Sequence, residues 1–342
     1  MEVDPKVRAY LHQFREFNKL SPGPIPDSIT IRGARSHGPH LVFGAIIHGN
    51  ETGSLPAMLH VVEMLLQNRG ITPFQGSVTF FLGNVPACEQ GVRFREADLN
   101  RVFCPQLVQT WESKRAQEIM GLLEQASLFV DFHQTSEPCR MPFYIFGFDL
   151  ASYHWARALG GTSALVTRDS QVKFEEGSLC GDEWVRSRGV PAVTLELGQK
   201  GLRKDAEYLC ESMIWRSLLL GFWIWEKEVS LEFLAQQNQE LEFFTITKRV
   251  PFTHPLAHLH PGLQNFAPIQ EGQILGLDGK GIPIPAPASG YALFPKYPDR
   301  DETGAALPPL SGDLVQIVTE ISKPEGTLIP DFKGVRLGVE PG

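Results

Sequence analysis

The stretch Leu41-Val42-Phe43-Gly44-Ala45-Ile46-Ile47-His48-Gly49-Asn50-Glu51 joins an unbroken apolar run to a polar turn. A short run without alternation is what a strand buried on both faces requires. Gly49 and Asn50 break it. A helical pattern follows over about 54–68, with Leu55, Met58, Leu59, Val62, Leu65 and Leu66 on one face, and Gly70 is placed to close it. Strand, turn and amphipathic helix recur along the chain. Residues 77–82 read as a buried strand ending at Gly83-Asn84, 111–125 as a helix, and 128–133 as a short strand that delivers His133. Residues 142–148 read as a strand, 181–189 as a helix, 190–196 as a strand and 206–225 as a long helix, while 28–32 alternates and reads as a further strand. Strands alternating with helices predict an α/β fold with a largely parallel sheet flanked by helices. Sites in such sheets form at the carboxyl ends of strands. His48, His133 and Glu196 fall at or just beyond such ends.

The pattern changes after about residue 240. Pro and Gly become frequent and helical periodicity disappears. Candidate strands lie at 242–250, 273–277, 282–285, 291–294 and 314–318. The expected organisation is a catalytic domain over 1–241 and a smaller β-rich domain over 242–342. A chain of 342 residues suits two such units. Its hydrophobic fraction of 42% and charged fraction of 20% are ordinary for a soluble protein. A net charge of -8, without clustered Lys and Arg, excludes a nucleic-acid footprint. Cysteines at 88, 104, 139, 180 and 210 are odd in number and lack Cys-x-x-Cys spacing. That argues against a disulfide framework or thiolate metal site and fits the cytoplasm. The first residues lack a basic region followed by an apolar run, so no signal peptide is expected. The most apolar stretch, 217–225, is too short to span a bilayer.

His48 and Glu51 lie three residues apart, and a tight turn can point both one way. Glycine at 49 is expected to let the backbone approach a metal closely. A catalytic zinc takes three protein ligands, often two His and one Glu, and keeps a position for water. His133 is the natural third ligand, and Asp131 beside it could orient an imidazole. The bland alternatives are a surface His–Glu pair and a core histidine. Glu196 ends an apolar strand, where a carboxylate is costly unless it is paired or functional. It suits a general base that takes a proton from water attacking a carbonyl, or else a structural salt bridge. The segment 91–101 packs Arg93, Arg95, Asn100 and Arg101 near a turn. Arginine there can stabilise an oxyanion or grip a carboxylate, or line a solvated basic loop.

The ordered set His48, Glu51, Arg93, Asn100-Arg101, His133, Glu196 resembles the succinylglutamate desuccinylase/aspartoacylase family, part of the wider zinc carboxypeptidase group. The resemblance runs through 44–51, 83–103, 129–135 and 190–201, and extends into His260-Pro261-Gly262-Leu263-Gln264. It implies a zinc-carboxypeptidase-like fold with a mixed eight-stranded sheet, and a C-terminal β domain covering the mouth of the site. It implies one Zn2+ per chain on His48, Glu51 and His133, with Glu196 as base and Arg93 polarising the carbonyl. Asn100 and Arg101 would hold a substrate carboxylate, and Tyr297 would be lent to the pocket by the β domain. Asn84 reads as structural.

One departure stands out. Gly177-Ser178-Leu179-Cys180-Gly181-Asp182-Glu183-Trp184 is more similar to the Gly-Ser-x-x-Asp-Trp stretch of zinc carboxypeptidases. Asp182 there could favour an amine-bearing substrate, or simply sit at a helix N-terminus favoured by the dipole. Arg186 could bind a further carboxylate or face solvent. The expected activity is hydrolysis of the amide bond of an N-acyl amino acid by zinc-activated water. A zinc carboxypeptidase or peptidoglycan-peptide amidase uses the same chemistry and stays open. A metal-binding module without activity is disfavoured, because every expected catalytic residue is present. The partner is a small acyl amino acid, with no nucleic acid and no membrane. A homo-oligomer is compatible with the sequence, and the acyl group is not fixed by it.

Overall fold

An N-terminal helix, α1 (Pro5–Leu20), is capped by Asp4, whose side chain accepts from the Lys6 N–H at 2.8 Å. It buries Val7, Leu11 and Phe14, one apolar residue per turn, as a single core-facing stripe requires. β1 (Ser28–Arg32) and β2 (His40–Ala45) follow. The apolar run thus forms a central strand, and all five residues from Leu41 to Ala45 are buried. α2 (Leu55–Leu66), β3 (Ser77–Leu82), the single turn α3 (Val85–Cys88), α4 (Trp111–Leu123) and β4 (Leu128–Thr135) complete the first half. β5 (Phe143–Ile145), α5 (Leu150–Leu159), β6 (Ala164–Thr167), α6 (Gly181–Arg186), β7 (Ala192–Gln199), α7 (Lys204–Gly221) and α8 (Leu231–Gln236) make the second. The C-terminal part is built of β8 (Glu242–Pro251), β9 (His258–Leu259), β10 (Pro268–Ile269), β11 (Ile274–Leu277), β12 (Pro283–Pro285), β13 (Gly290–Leu293) and β14 (Asp313–Ile321). The structure, a computed structural model, describes residues 3–33, 38–67, 74–104, 109–167, 179–307 and 312–324. Gly70, Gly177 and Ser178, singled out in the sequence, lie outside the described residues.

The main sheet runs β1-β3-β2-β4-β7-β5-β6-β8-β14-β13-β10. β3, β2, β4 and β7 are mutually parallel, whereas β1 and β5 run against their neighbours β3 and β7. The first eight strands in this order are the mixed sheet that the family resemblance implies. The sheet does not stop there: β8 pairs with β6 on one side and with β14 on the other, so β14, β13 and β10 carry it to eleven strands. A separate three-stranded sheet, β12-β11-β9, lies in the same C-terminal part.

Helices cover both faces. α1, α2, α5, α7 and α8 pack one apolar layer, which includes Phe14, Met58, Tyr153, Met213 and Ala235. α4 and α6 pack the other through Ala116, Ile119, Trp184 and Val185. The C-terminal strands have a core of their own around Leu259, Leu275, Leu314 and Ile317. They share a second cluster with the main body, in which Phe143 and Val166 meet Phe244, Phe266 and Leu293.

Two details differ from the sequence expectation. The long helix expected over 206–225 closes as α-helix at Gly221, and a wider π-helical turn covers Phe222–Glu226. Trp225 in that turn packs against Phe74 and Trp155. β4 and β7 run on to Thr135 and Gln199, because Thr135 pairs with Gln199 after a register shift. His133 and Glu196 therefore sit inside their strands, facing each other in register. The order reverses across β2 and β4, where successive connections leave in opposite directions. Binding sites in open α/β sheets gather at the carboxyl ends of strands beside such a switch point, and here those are the ends of β2 and β4.

Candidate metal centre and active site

β2 is followed by a residue with unusual backbone. Ile46 has φ 45, which is strained for a β-branched side chain. The kink lies between β2 and the turn that carries His48 and Glu51. Gly49 is also needed here for packing. A Cβ at this position would collide with the backbone of Ala87 and Cys88 in α3, so the glycine serves close packing against α3. Its N–H donates to the Arg93 carbonyl at 2.9 Å, tying the His48 turn to the arginine loop.

The two oxygens of Glu51 lie between two imidazoles. His48 Nδ1 is 2.8 Å from Oε1, and His133 Nδ1 is 3.0 Å from Oε2. The ligand-capable atoms of His48, Glu51 and His133 lie within 4.8 Å of one another, and all three residues are buried. The opposite ring nitrogens meet carboxylates. His133 Nε2 is 2.9 Å from Asp131 Oδ2, and His48 Nε2 is 3.1 Å from Asp98 Oδ1. An Nε2–H held by a carboxylate leaves the Nδ1 lone pair free for a metal, an arrangement that fixes tautomer and ring orientation. Two imidazole nitrogens and a carboxylate form a donor set that fits a catalytic zinc, which takes three protein ligands.

Arg93 closes the other side. Its guanidinium donates to Glu51 Oε1 at 3.1 Å and to Asp98 Oδ2 at 3.2 and 3.3 Å. One terminal nitrogen also approaches His48 Nε2 at 2.7 Å. A guanidinium can only donate, so that contact needs a bare Nε2, whereas the Asp98 contact takes its proton. Arg93 and Asp98 thus compete for one ring nitrogen. The Arg93 side chain is 38% exposed, against 17% for Asp98 and 5% for Glu51, so it is the most exposed member of the cluster.

The charges perturb one another. Burial pushes Glu51 up, but His48 and His133 outweigh it and hold the carboxylate well below its ordinary range. Burial pushes His133 down, and the carboxylates of Asp131 and Glu51 carry it well above the ordinary imidazole value. Asp98 is raised by burial and brought well below the usual range by His48 and Arg93. Glu196 goes the other way. Burial, and next the negative charge of Glu51, push it up to about 8, with His133 and Arg93 drawing it partly back. Its Oε2 is buried without a hydrogen-bond partner. An unpartnered carboxylate oxygen of high proton affinity beside a metal-type cluster is the environment of a general base.

Asn100 and Arg101 follow Asp98 on a single 3-10 turn, where Asp98 accepts from the Asn100 N–H at 2.9 Å. The Asn100 amide oxygen accepts from the Gly181 N–H at 3.0 Å. The Arg101 guanidinium donates to the Asn100 carbonyl at 2.8 Å, and its charge helps lower Asp98. Asp182 and Arg186 meet each other. They form a 2.6 Å ion pair within α6, and Arg186 also reaches Asp149, the Ala192 carbonyl and the face of Phe146. Both are buried, so Arg186 does not face solvent. The Tyr297 hydroxyl donates to the His260 carbonyl at 2.6 Å and accepts from the Leu263 N–H at 2.9 Å, which places it in the β region. Asn84 caps α3 through Ala87 and donates to Glu112 at 3.1 Å, a structural role as expected.

A family model for the succinylglutamate desuccinylase/aspartoacylase catalytic domain matches residues 37–210, half of the chain. The chain belongs to this family. The family match spans every residue of the cluster. The succinylglutamate desuccinylase of Pseudomonas paraeruginosa is 26% identical over 278 residues, covering 73% of this chain and 77% of that protein. The solved structure of succinylglutamate desuccinylase from Vibrio parahaemolyticus superposes with a TM-score of 0.63 at 15% identity, covering 86% of both chains. Murine aminoacylase 3 superposes with a TM-score of 0.57 at 18% identity, covering 84% of this chain and 97% of its own. These structures share the fold.

The sequence left Asp98 without a role, although it lies in the quoted arginine segment. Its partner His48 is fifty residues away, and no local spacing reveals the pair. Lys296 was also passed over in favour of its neighbour Tyr297. It is half-buried, and its pKa is lowered first by burial, with the Asp313 charge opposing this and the charges of Arg93 and Arg101 adding to it. Among the described residues no helix is long and apolar enough to cross a membrane, and the five cysteines are free thiols.

Proposed function

We propose that the protein hydrolyses the amide bond of an N-acyl amino acid, releasing a carboxylic acid and a free amino acid. The observation that carries this reading is the juxtaposition of the His48–Glu51–His133 donor set with the buried, unpartnered Glu196 carboxylate. His48 and His133, through Nδ1, and the Glu51 carboxylate would hold one Zn2+. When bound there, the ion supplies Lewis acidity and lowers the pKa of water. Glu196 takes a proton from the attacking water and passes it to the leaving amine. Its elevated proton affinity suits both halves of that transfer near neutral pH. Arg93 offers N–H donors where negative charge develops on the carbonyl oxygen. Asn100 and Arg101 bind the substrate carboxylate, and we place Arg101 as its counter-ion. Asp182, Arg186 and Tyr297 are read as supports of the pocket walls, because their polar atoms are engaged within α6 and the β region.

We further propose that 1–241 is the catalytic unit and that 242–342 narrows its mouth, which favours a small substrate over a protein. The names of the relatives support a deacylase over a carboxypeptidase or peptidoglycan-peptide amidase. A panel of acetyl, succinyl and longer acyl groups on Asp, Glu, Arg and diamino acids, set against short peptides, tests the reading. Deacylation of at least one acyl amino acid, abolished in Glu196→Gln, is expected. Cleavage of peptides alone would replace it with the carboxypeptidase reading.

A further inference from the structure

Glu112 is a buried carboxylate that the chemistry above does not use. It lies in the first turn of α4, is fully buried, and forms no ion pair among the described residues. Its oxygens accept from the backbone N–H groups of Arg95 at 2.8 Å, Glu96 at 3.3 and 3.4 Å and Ala97 at 3.3 Å, and from the Asn84 side-chain amide at 3.1 Å. Three successive amides wrapped on one carboxylate fix the path of 95–97. The bond is returned: Glu96 Oε2 accepts from the Trp111 N–H at 2.9 Å, at the start of α4. The clasped segment lies between Arg93 and Asp98, the two side chains that close the cluster over His48 and Glu51. Asn84 extends the same clasp to α3, whose backbone packs on Gly49.

We propose that Glu112 is a positioning residue, which sets the separation and aim of Arg93 and Asp98 by holding the loop between them through its backbone. It acts on the reaction through Arg93, and to that extent it rests on the proposed deacylase reading. A misplacement of about 1 Å in such a group costs roughly 100-fold in rate. Glu112→Gln keeps the size of the side chain but turns an amide NH2 toward N–H donors that need an acceptor.

Two measurements on the zinc-loaded full chain decide the matter. By hydrogen exchange, the amides of Arg95, Glu96 and Ala97 are protected in the wild type and lose protection at least about 10-fold in Glu112→Gln. In steady-state kinetics, Glu112→Gln lowers kcat roughly 10- to 100-fold with KM within about twofold. The loss shrinks to under about threefold when Arg93 is already Ala, because both changes act on one group. Should Glu112→Gln not fold, Glu96→Ala opens the other half of the clasp from the exposed side and lowers kcat with KM unchanged. Unchanged exchange in the clasp variant overturns the proposal, and so does a kcat loss that adds fully to that of Arg93→Ala. A wild type inactive on every acyl amino acid overturns the deacylase reading instead, and the exchange result then decides the clasp alone.

Discussion

Replacing Glu196 by Gln in metal-free protein should remove a stability penalty that grows with pH. The carboxyl is raised from 4.5 to about 8, first by burial and then by the Glu51 charge. Below pH 4.5 the group is protonated in both folded and unfolded chains and contributes nothing to the pH dependence. Between 4.5 and about 8 the unfolded chain releases the proton while the folded chain keeps it, so the folded state loses ground as pH rises. At about 1.4 kcal/mol per pH unit the penalty approaches about 5 kcal/mol above pH 8. Gln is neutral throughout and carries no such slope. Urea denaturation of metal-stripped wild type and Glu196→Gln at intervals from pH 5 to pH 9 reads the difference directly. The wild type should fall relative to the variant by several kcal/mol across this window, most of it between pH 5 and pH 8. Two parallel stability profiles would refute the reasoning, because they would mean that Glu196 is ionised at neutral pH and paired with a group that satisfies it.

Other expectations follow from the same geometry. Arg93→Lys should lower kcat about 100- to 1000-fold while bound zinc is retained, because the lysine cannot reproduce the forked donor; kinetics with metal analysis check both halves. Asp98→Asn should weaken zinc binding roughly 10- to 100-fold, as loss of an imidazole-orienting carboxylate does elsewhere; competition with a chelating dye measures it. Gly49→Ala should destabilise the protein by about 1–3 kcal/mol through collision with the α3 backbone, read as a lower urea midpoint.

The sequence made the centre of the sheet legible because physics forces its pattern. A strand between two helical layers must be apolar on both faces, and residues 41–47 have that composition. The polar turn that follows could only lie at a strand end, where ligands gather. His133 and Glu196 were found by the same logic, although their strands run further than the apolar runs that marked them. What was hidden depends on partners far apart in the chain. The His48–Asp98 bond spans fifty residues, and the wrapping of 95–97 on Glu112 involves backbone N–H groups that no side-chain pattern announces. β8 reads as the first strand of a separate β unit, and only its pairing with β6 shows that one sheet continues through it. Asp182 and Arg186 had helical i,i+4 spacing, the signature of a mutual ion pair. The sequence reading weighed a pocket role for each against a helix N-terminus or solvent, and did not weigh their pairing with each other. The need for a glycine at 49 was legible, but its packing on α3 was not, since α3 lies more than thirty residues further along the chain.

The central claim is that His48, Glu51 and His133 hold a catalytic zinc ion. Metal content of the purified, zinc-replete protein tests it most directly, measured beside His133→Ala and Glu196→Gln. The account predicts one zinc per chain in the wild type and in Glu196→Gln, and almost none in His133→Ala. A wild type that holds no zinc, or a His133→Ala variant that binds it as tightly as the wild type, would contradict the account.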